Sequence, residues 1–228
     1  MVISVDVMVL IIGAIVVAVV IVLVVVVPLS IRAERRRKAA LAGWAHAHGW
    51  SYAERVRADW TVRLPGRNKR GLGVTMTGQL DGRWVTVADY SYETTSSSNF
   101  SSTSHSTTST TTHYYIVIVV HLPQPHRPVA VLTRGLFSQL GRTLFGDKPT
   151  ATGNPDFDSR FRIVSPDPRY AHWLVTKDLI TAHLHNVVPH WSVGNHDLVT
   201  YRPGRLKDPN AIPALAAPLL HVAALLPR

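Results

Sequence analysis

One block of the chain lacks any polar alternation: residues 7–27 form 21 positions without a charge, a proline or a hydrogen-bonding side chain. As a helix this run is about 31 Å long, against a bilayer hydrocarbon core of about 30 Å. In hydrocarbon a single segment can satisfy its backbone N–H and C=O groups only as a helix. The pattern therefore predicts a transmembrane anchor over residues 1–31, with its span at 7–27. A cleavable signal peptide needs a basic leader and a shorter apolar stretch. Residues 1–6 carry no base and include Asp6, and residues 28–32 make a poor small-residue cleavage site.

Past the anchor the pattern changes to a helical one. Leu41, Trp44 and His48 recur at helical spacing in an Ala- and Arg-rich stretch, and Gly49 is a natural stop. Residues 32–49 thus read as a basic juxtamembrane helix.

From residue 50 the period becomes 2. Residues 50–52 suggest a short strand. Residues 74–80 and 84–90 alternate around Asp81-Gly82, a strong hairpin signal, and residues 114–120 and 129–132 add two more strands. These predict an antiparallel meander with one buried face. Of the 19 residues from 94 to 112, 16 are Ser or Thr, a composition that predicts a disordered loop.

Further along, residues 135–140 suggest a short helix and residues 157–164 a strand. Asp167 then reads as an N-cap with Pro168 at the first helical position, and Thr176 as the cap of the next helix. Residues 191–193 and 197–201 suggest a hairpin around Gly194-Asn195. Residues 212–226, mostly Ala and Leu with Pro218 inside, suit a terminal helix packed on the domain better than a second span. The expected fold class is α+β: an N-terminal transmembrane helix, then an antiparallel-sheet domain over residues 50–228 with flanking helices.

Charge sets the orientation of this arrangement. The chain has 24 Lys+Arg against 14 Asp+Glu, and +7 of its net +10 falls within residues 1–70. Arg32, Arg35, Arg36, Arg37 and Lys38 crowd one end of the apolar run, while the other end has no base. By the positive-inside rule the N-terminus lies outside and the domain is cytoplasmic, which makes a single-pass protein of the inner membrane. The same five residues are candidates for contact with anionic lipid headgroups, at about 1 kcal/mol each. The basic balance also invites nucleic acid, but no recognition module accompanies it.

Candidate chemistry is sparse. With no cysteine there is no disulfide, thiolate metal site or thiol nucleophile. His183, His185, His190 and His196 form the densest histidine cluster and are the candidate metal ligands, although residues two apart on a helix do not converge. Asp156 and Asp158 share a face only if the chain there is extended, and Arg160 and Arg162 follow closely enough to keep both ionised. No nucleophile elbow, zinc-protease helix motif, P-loop or dinucleotide fingerprint occurs. No catalytic residue and no cofactor is therefore assigned.

Three pieces taken together carry a resemblance. They are the stretch from Ala45 to Tyr52, the hairpin from Thr77 to Arg83 with Asp89-Tyr90-Ser91-Tyr92, and Phe157-x-x-x-Phe161-Arg162-Ile163 followed by residues 167–171. They resemble a group of membrane-anchored proteins common in GC-rich bacteria, over residues 32–205. That group has no established activity, so the resemblance implies an anchor plus an α+β domain and assigns no residue a role. The long Ser/Thr tract departs from it.

The expected function is a non-enzymatic binding or scaffolding module at the cytoplasmic membrane face, with an unidentified protein partner. One alternative is a membrane-anchored hydrolase or metal-dependent enzyme using residues 183–196 with Asp156 and Asp158. Another is a sensor of anionic lipid surfaces working through Arg32 to Lys38.

Overall fold

A computed structural model describes residues 5–21, 24, 26–98, 107–134 and 149–227. The chain divides into two units, Met1–Trp44 and Ala45–Arg228.

In the first unit, helix α1 spans Val5–Ile21 and α2 starts at Val27 and runs to Ala47. Pro28 is the second residue of α2. Glu34 and Arg37 pair along α2 at 2.8 Å. Among the described residues no helix is long and apolar enough to cross a membrane. The α1 helix has 17 residues, and residues 22, 23 and 25 of the apolar run lie outside those described.

The second unit is an α+β domain. The α2 helix stops at Gly49 with two capping bonds, from Trp50 N to Ala45 O at 2.8 Å and from Gly49 N to His46 O at 3.3 Å. Then come β1 (Ser51–Glu54), β2 (Leu72–Leu80), β3 (Arg83–Ser98), β4 (Thr107–Thr133), β5 (Pro149–Thr150), β6 (Phe161–Val164) and β7 (Trp191–Pro203). The described strands form one antiparallel sheet in the order β1-β2-β3-β4-β6-β5, with β7 on the other side of β4. Helices α3 (Pro155–Arg160), α4 (Pro168–Leu174), α5 (Lys177–Leu184) and α6 (Ile212–Leu225) flank it.

The β2–β3 turn is the one expected. Asp81 and Gly82 have φ of 48° and 73°, the left-handed pair that lets a two-residue turn follow the strand twist. Asp167 and Thr176 cap α4 and α5 through their side chains, also as expected.

Five expectations change. The predicted strands 114–120 and 129–132 are one strand, β4, which lies between β3 and β7 at its centre and between β6 and β7 at its end. Val117, Ile118, Val119 and Val120 are all buried, so the sheet centre has two covered faces rather than one. A continuous apolar run is the signature of that situation. Trp60 and Leu64, from a 3-10 turn at Asp59–Arg63 and the residue after it, cluster with Val117, Val119, Val199 and Tyr201. Helix α6 packs on β4 and β7.

The predicted hairpin at 191–201 is instead the single strand β7. Pro123, Pro125 and Pro128 remove N–H groups from β4, and its pairing steps from His121↔Asp197 to His126↔Asn195 to Val129↔Val193. The extra residues bulge out of β4, and β7 continues past Gly194-Asn195.

Within the predicted loop, residues 94–98 and 107–112 are paired strand, from Thr94↔Thr111 to Ser98↔Thr107; residues 99–106 lie outside those described. Threonine favours strands, and the register set by the buried half of β3 and β4 carries into this tract. The predicted strand at 157–164 is helix as far as Arg160, because Asn154 caps it by accepting from Phe157 N and Pro155 opens it. The helix expected at 135–140 lies outside the described residues.

Candidate functional site

A polar chain crosses four neighbouring strands of the sheet. Thr77 on β2 is opposite Thr86 on β3, and their hydroxyls are 2.8 Å apart. The Thr86 hydroxyl is 2.8 Å from His121 Nε2 on β4, and His121 Nδ1 is 3.0 Å from Asp197 Oδ1 on β7. These four side chains meet because strand alternation puts them on one face, His121 lying two residues beyond Thr86's partner Val119.

The chain ends on Arg63, from the 3-10 turn at Asp59–Arg63. Its Nη1 donates to Ser192 O at 3.2 Å and to Asp197 O at 2.9 Å, and its Nη2 is 3.9 Å from Asp197 Oδ2. Burial lowers the guanidinium pKa to about 10, and the Asp197 charge acts against that shift. At this value Arg63 stays charged at neutral pH. A cavity of about 260 Å³ opens beside it, lined by Asp59, Trp60, Pro128 and Asn195 among others.

In order of groups this is a hydroxyl–imidazole–carboxylate relay, with Nδ1 donating to the acid and Nε2 facing the hydroxyl. A nucleophile must also reach a carbonyl carbon and have oxyanion donors about 3 Å from the developing charge. Thr86 is in mid-strand, paired on both sides, 5% exposed and held by Thr77. The arrangement fixes His121 and Asp197, and Asp197 fixes Arg63 at the cavity wall.

The predicted histidines do not converge on one set of ligands. His183 is fully buried on α5, where its Nε2 accepts from Trp191 Nε1 at 3.0 Å. His185 is the C-cap of α5, and His190 sits edge-on to Tyr201 with ring centroids 4.6 Å apart. His196 Nδ1 is 3.0 Å from Leu122 O. Among the described residues no group of three or more His, Cys, Asp or Glu is placed to hold a metal.

Asp156 and Asp158 lie in the first turn of α3, not on an extended face. The Asp158 carboxylate accepts from Thr152 N at 3.0 Å, Thr152 Oγ1 at 2.9 Å and Gly153 N at 3.2 Å, which makes it a cap of the turn before α3. Arg32, Arg35 and Arg36 are exposed on α2, and Arg37 is paired with Glu34. Lys38 is the last of the five basic residues on α2.

Arg63, Thr86, His121 and Asp197 were not identifiable from the sequence. Arg63 and Asp197 are 134 residues apart, and no local spacing connects them. The one available signal was strand parity, which puts Thr77 and Thr86 on a common face once the Asp81-Gly82 turn is assigned.

No protein-family model matches this chain, and no curated protein sequence matches it. Among solved structures, the crystal structure of the mycobacterial trehalose monomycolate transport factor A, TtfA, is similar, with a TM-score of 0.51 and 16% identity. The likeness covers 83% of this chain and 92% of that one. At this identity it is a likeness of fold.

Proposed function

We propose that this chain is a membrane-anchored, non-enzymatic binding or scaffolding module whose α+β domain works at the cytoplasmic face of the inner membrane. The observation that carries the reading is the uncharged run at residues 7–27, followed at once by Arg32, Arg35, Arg36, Arg37 and Lys38. Met8, Leu10, Ile11, Ile15, Val16 and Val17 of α1 are all exposed, an arrangement that water disfavours and lipid accommodates. The 17 residues of α1 reach about 25 Å, and the whole run would reach about 31 Å. The basic residues beyond it orient the domain inward and attract anionic headgroups.

In the domain, the polar groups from Thr77 to Arg63 satisfy one another across the sheet. That suits a rigid platform for a partner. The fold likeness to a factor named for trehalose monomycolate transport is compatible with such a binding role, and the partner would be a protein.

The absence of cysteine makes the test direct. A single cysteine at the exposed position Gln124 should react with a membrane-impermeant maleimide only after lysis, and the chain should resist alkaline carbonate extraction. Release by carbonate would remove the anchor, and labelling of intact cells would reverse the topology. A partner should co-purify from detergent; a chain that always elutes alone counts against scaffolding.

A further inference from the structure

Where β1 ends, three arginines surround one concavity. Arg55, Arg57 and Arg70 line a cavity of about 400 Å³ whose floor is the backbone from Gly71 to Gly73, with Ser91 beside it. We propose that this cavity is a binding site for a phosphate ester, held by the Arg55, Arg57 and Arg70 guanidinium groups. The site lies wholly within the second unit.

The chain builds the site in two steps. Arg55 leaves β1 with φ of 54°, and its N–H donates to Gly73 O at 2.8 Å, which pins the turn to the edge of β2. This left-handed turn ends the strand and places Arg57 at the same cavity two residues later. Arg70 arrives from the other side through a turn at Asn68, whose Oδ1 accepts from Arg70 N at 3.0 Å and whose O accepts from Gly71 N at 2.9 Å. A Cβ at Gly71 would lie 2.3 Å from Ser91 O, so the floor there can only be bare backbone.

The electrostatics point to an anion. No carboxylate lines the cavity, and among the described residues none of the three guanidinium groups has a hydrogen-bond or ion-pair partner. Arg63, Arg127 and Arg160 differ in that each is committed to an internal acceptor: Ser192 O, Asp167 and Leu184 O respectively. Three cations around one concavity repel one another until a multivalent anion enters. Guanidinium forks match tetrahedral phosphate oxygens in geometry as well as charge. The volume admits a phosphate with a small substituent, either a phospholipid headgroup or a soluble phosphorylated molecule.

The test uses the full chain in non-ionic detergent, titrated calorimetrically in two arms. One arm uses inorganic phosphate and pyrophosphate. The other uses short-chain phosphatidylglycerol and phosphatidic acid, with phosphatidylcholine of the same chain length as the reference. We expect saturable binding in at least one arm, weakened about tenfold or more in Arg55→Gln/Arg57→Gln/Arg70→Gln and unchanged in Arg169→Gln/Arg202→Gln, two exposed arginines remote in sequence from the cavity. Arg57→Gln alone should weaken it several-fold, which keeps the test decisive if the triple variant folds poorly. Binding of pyrophosphate identifies a soluble ligand; binding of the anionic lipids alone identifies a headgroup. No saturable binding in either arm, or wild-type affinity in the Arg57→Gln and triple variants, overturns the proposal.

Discussion

Trp191 Nε1 donates to His183 Nε2 across 3.0 Å of protein interior, so the buried imidazole is neutral and carries its proton on Nδ1. The His183 ring lies among aromatic neighbours, 4.9 Å from Phe161 and 5.7 Å from Phe157 between centroids. Protonation of Nε2 would break the tryptophan bond and put a cation in that cluster. Burial lowers the His183 pKa to about 4, with the nearby His190 acting in the same direction, and burial also lowers His190 to about 4.

Acid should therefore unfold the domain through these two residues. Both folded pKa values lie below the ordinary value of 6.5, so between about pH 4 and 6.5 the unfolded chain binds more protons. Stability is fully present above pH 6.5 and falls as pH drops through that window, by up to about 1.4 kcal/mol per pH unit for fully buried His183. Urea midpoints at pH 7.5, 6.0 and 4.5 measure the slope. His183→Leu should reduce it, while costing about 1–3 kcal/mol at pH 7.5 because the Trp191 N–H is left without an acceptor.

Arg63 depends on Asp197 in the same way that a buried charge depends on its counter-charge. The Arg63 side chain is 9% exposed and that of Asp197 is 24% exposed. Asp197→Ala should cost about 3 kcal/mol, the low end for breaking a buried pair because the acid is partly solvated. Arg63→Met/Asp197→Ala should recover part of the loss. A double-mutant cycle by chemical denaturation gives the coupling, and additive single effects would show that the two side chains do not cooperate.

Gly71 and Gly73 are two residues apart and should respond very differently to alanine. At Gly71 the new carbon would meet Ser91 O at 2.3 Å, a backbone atom that cannot swing aside; at Gly73 its nearest neighbours are 3.9 Å away. Gly71→Ala should cost about 3 kcal/mol, at the top of the overpacking range, and Gly73→Ala should be close to neutral. Melting temperatures of the two variants, compared with wild type, decide the matter.

Asp158 should act as a cap and not as an acid–base catalyst. Asp158→Ala removes the acceptor of Thr152 N, Thr152 Oγ1 and Gly153 N, and should cost about 2 kcal/mol. Asp156→Ala, whose backbone O still accepts from the Ser159 hydroxyl, should leave stability within about 0.5 kcal/mol. Equal losses in the two variants would contradict the capping role.

The sequence alone determined those features whose causes lie within a few residues of one another. The Asp81-Gly82 turn, the Gly49 stop and the Asp167 and Thr176 caps depend on neighbouring dihedrals and short-range hydrogen bonds, so they were visible in composition and spacing. Asn154 followed by Pro155 is the same local signal as Asp167 followed by Pro168. It marked α3 as well, but the alternation of residues 157–164 masked it. The tertiary structure decided whatever required distant partners. The strand β7 continues through Gly194-Asn195 because three prolines make β4 bulge opposite it. Residues 94–98 are strand because the buried part of the sheet sets their register with residues 107–111. Arg63 finds Asp197, and Arg55 comes to share a cavity with Arg70, only once the sheet is assembled. Local propensity can name a strand or a cap, but a cluster of charges depends on which strands end up side by side.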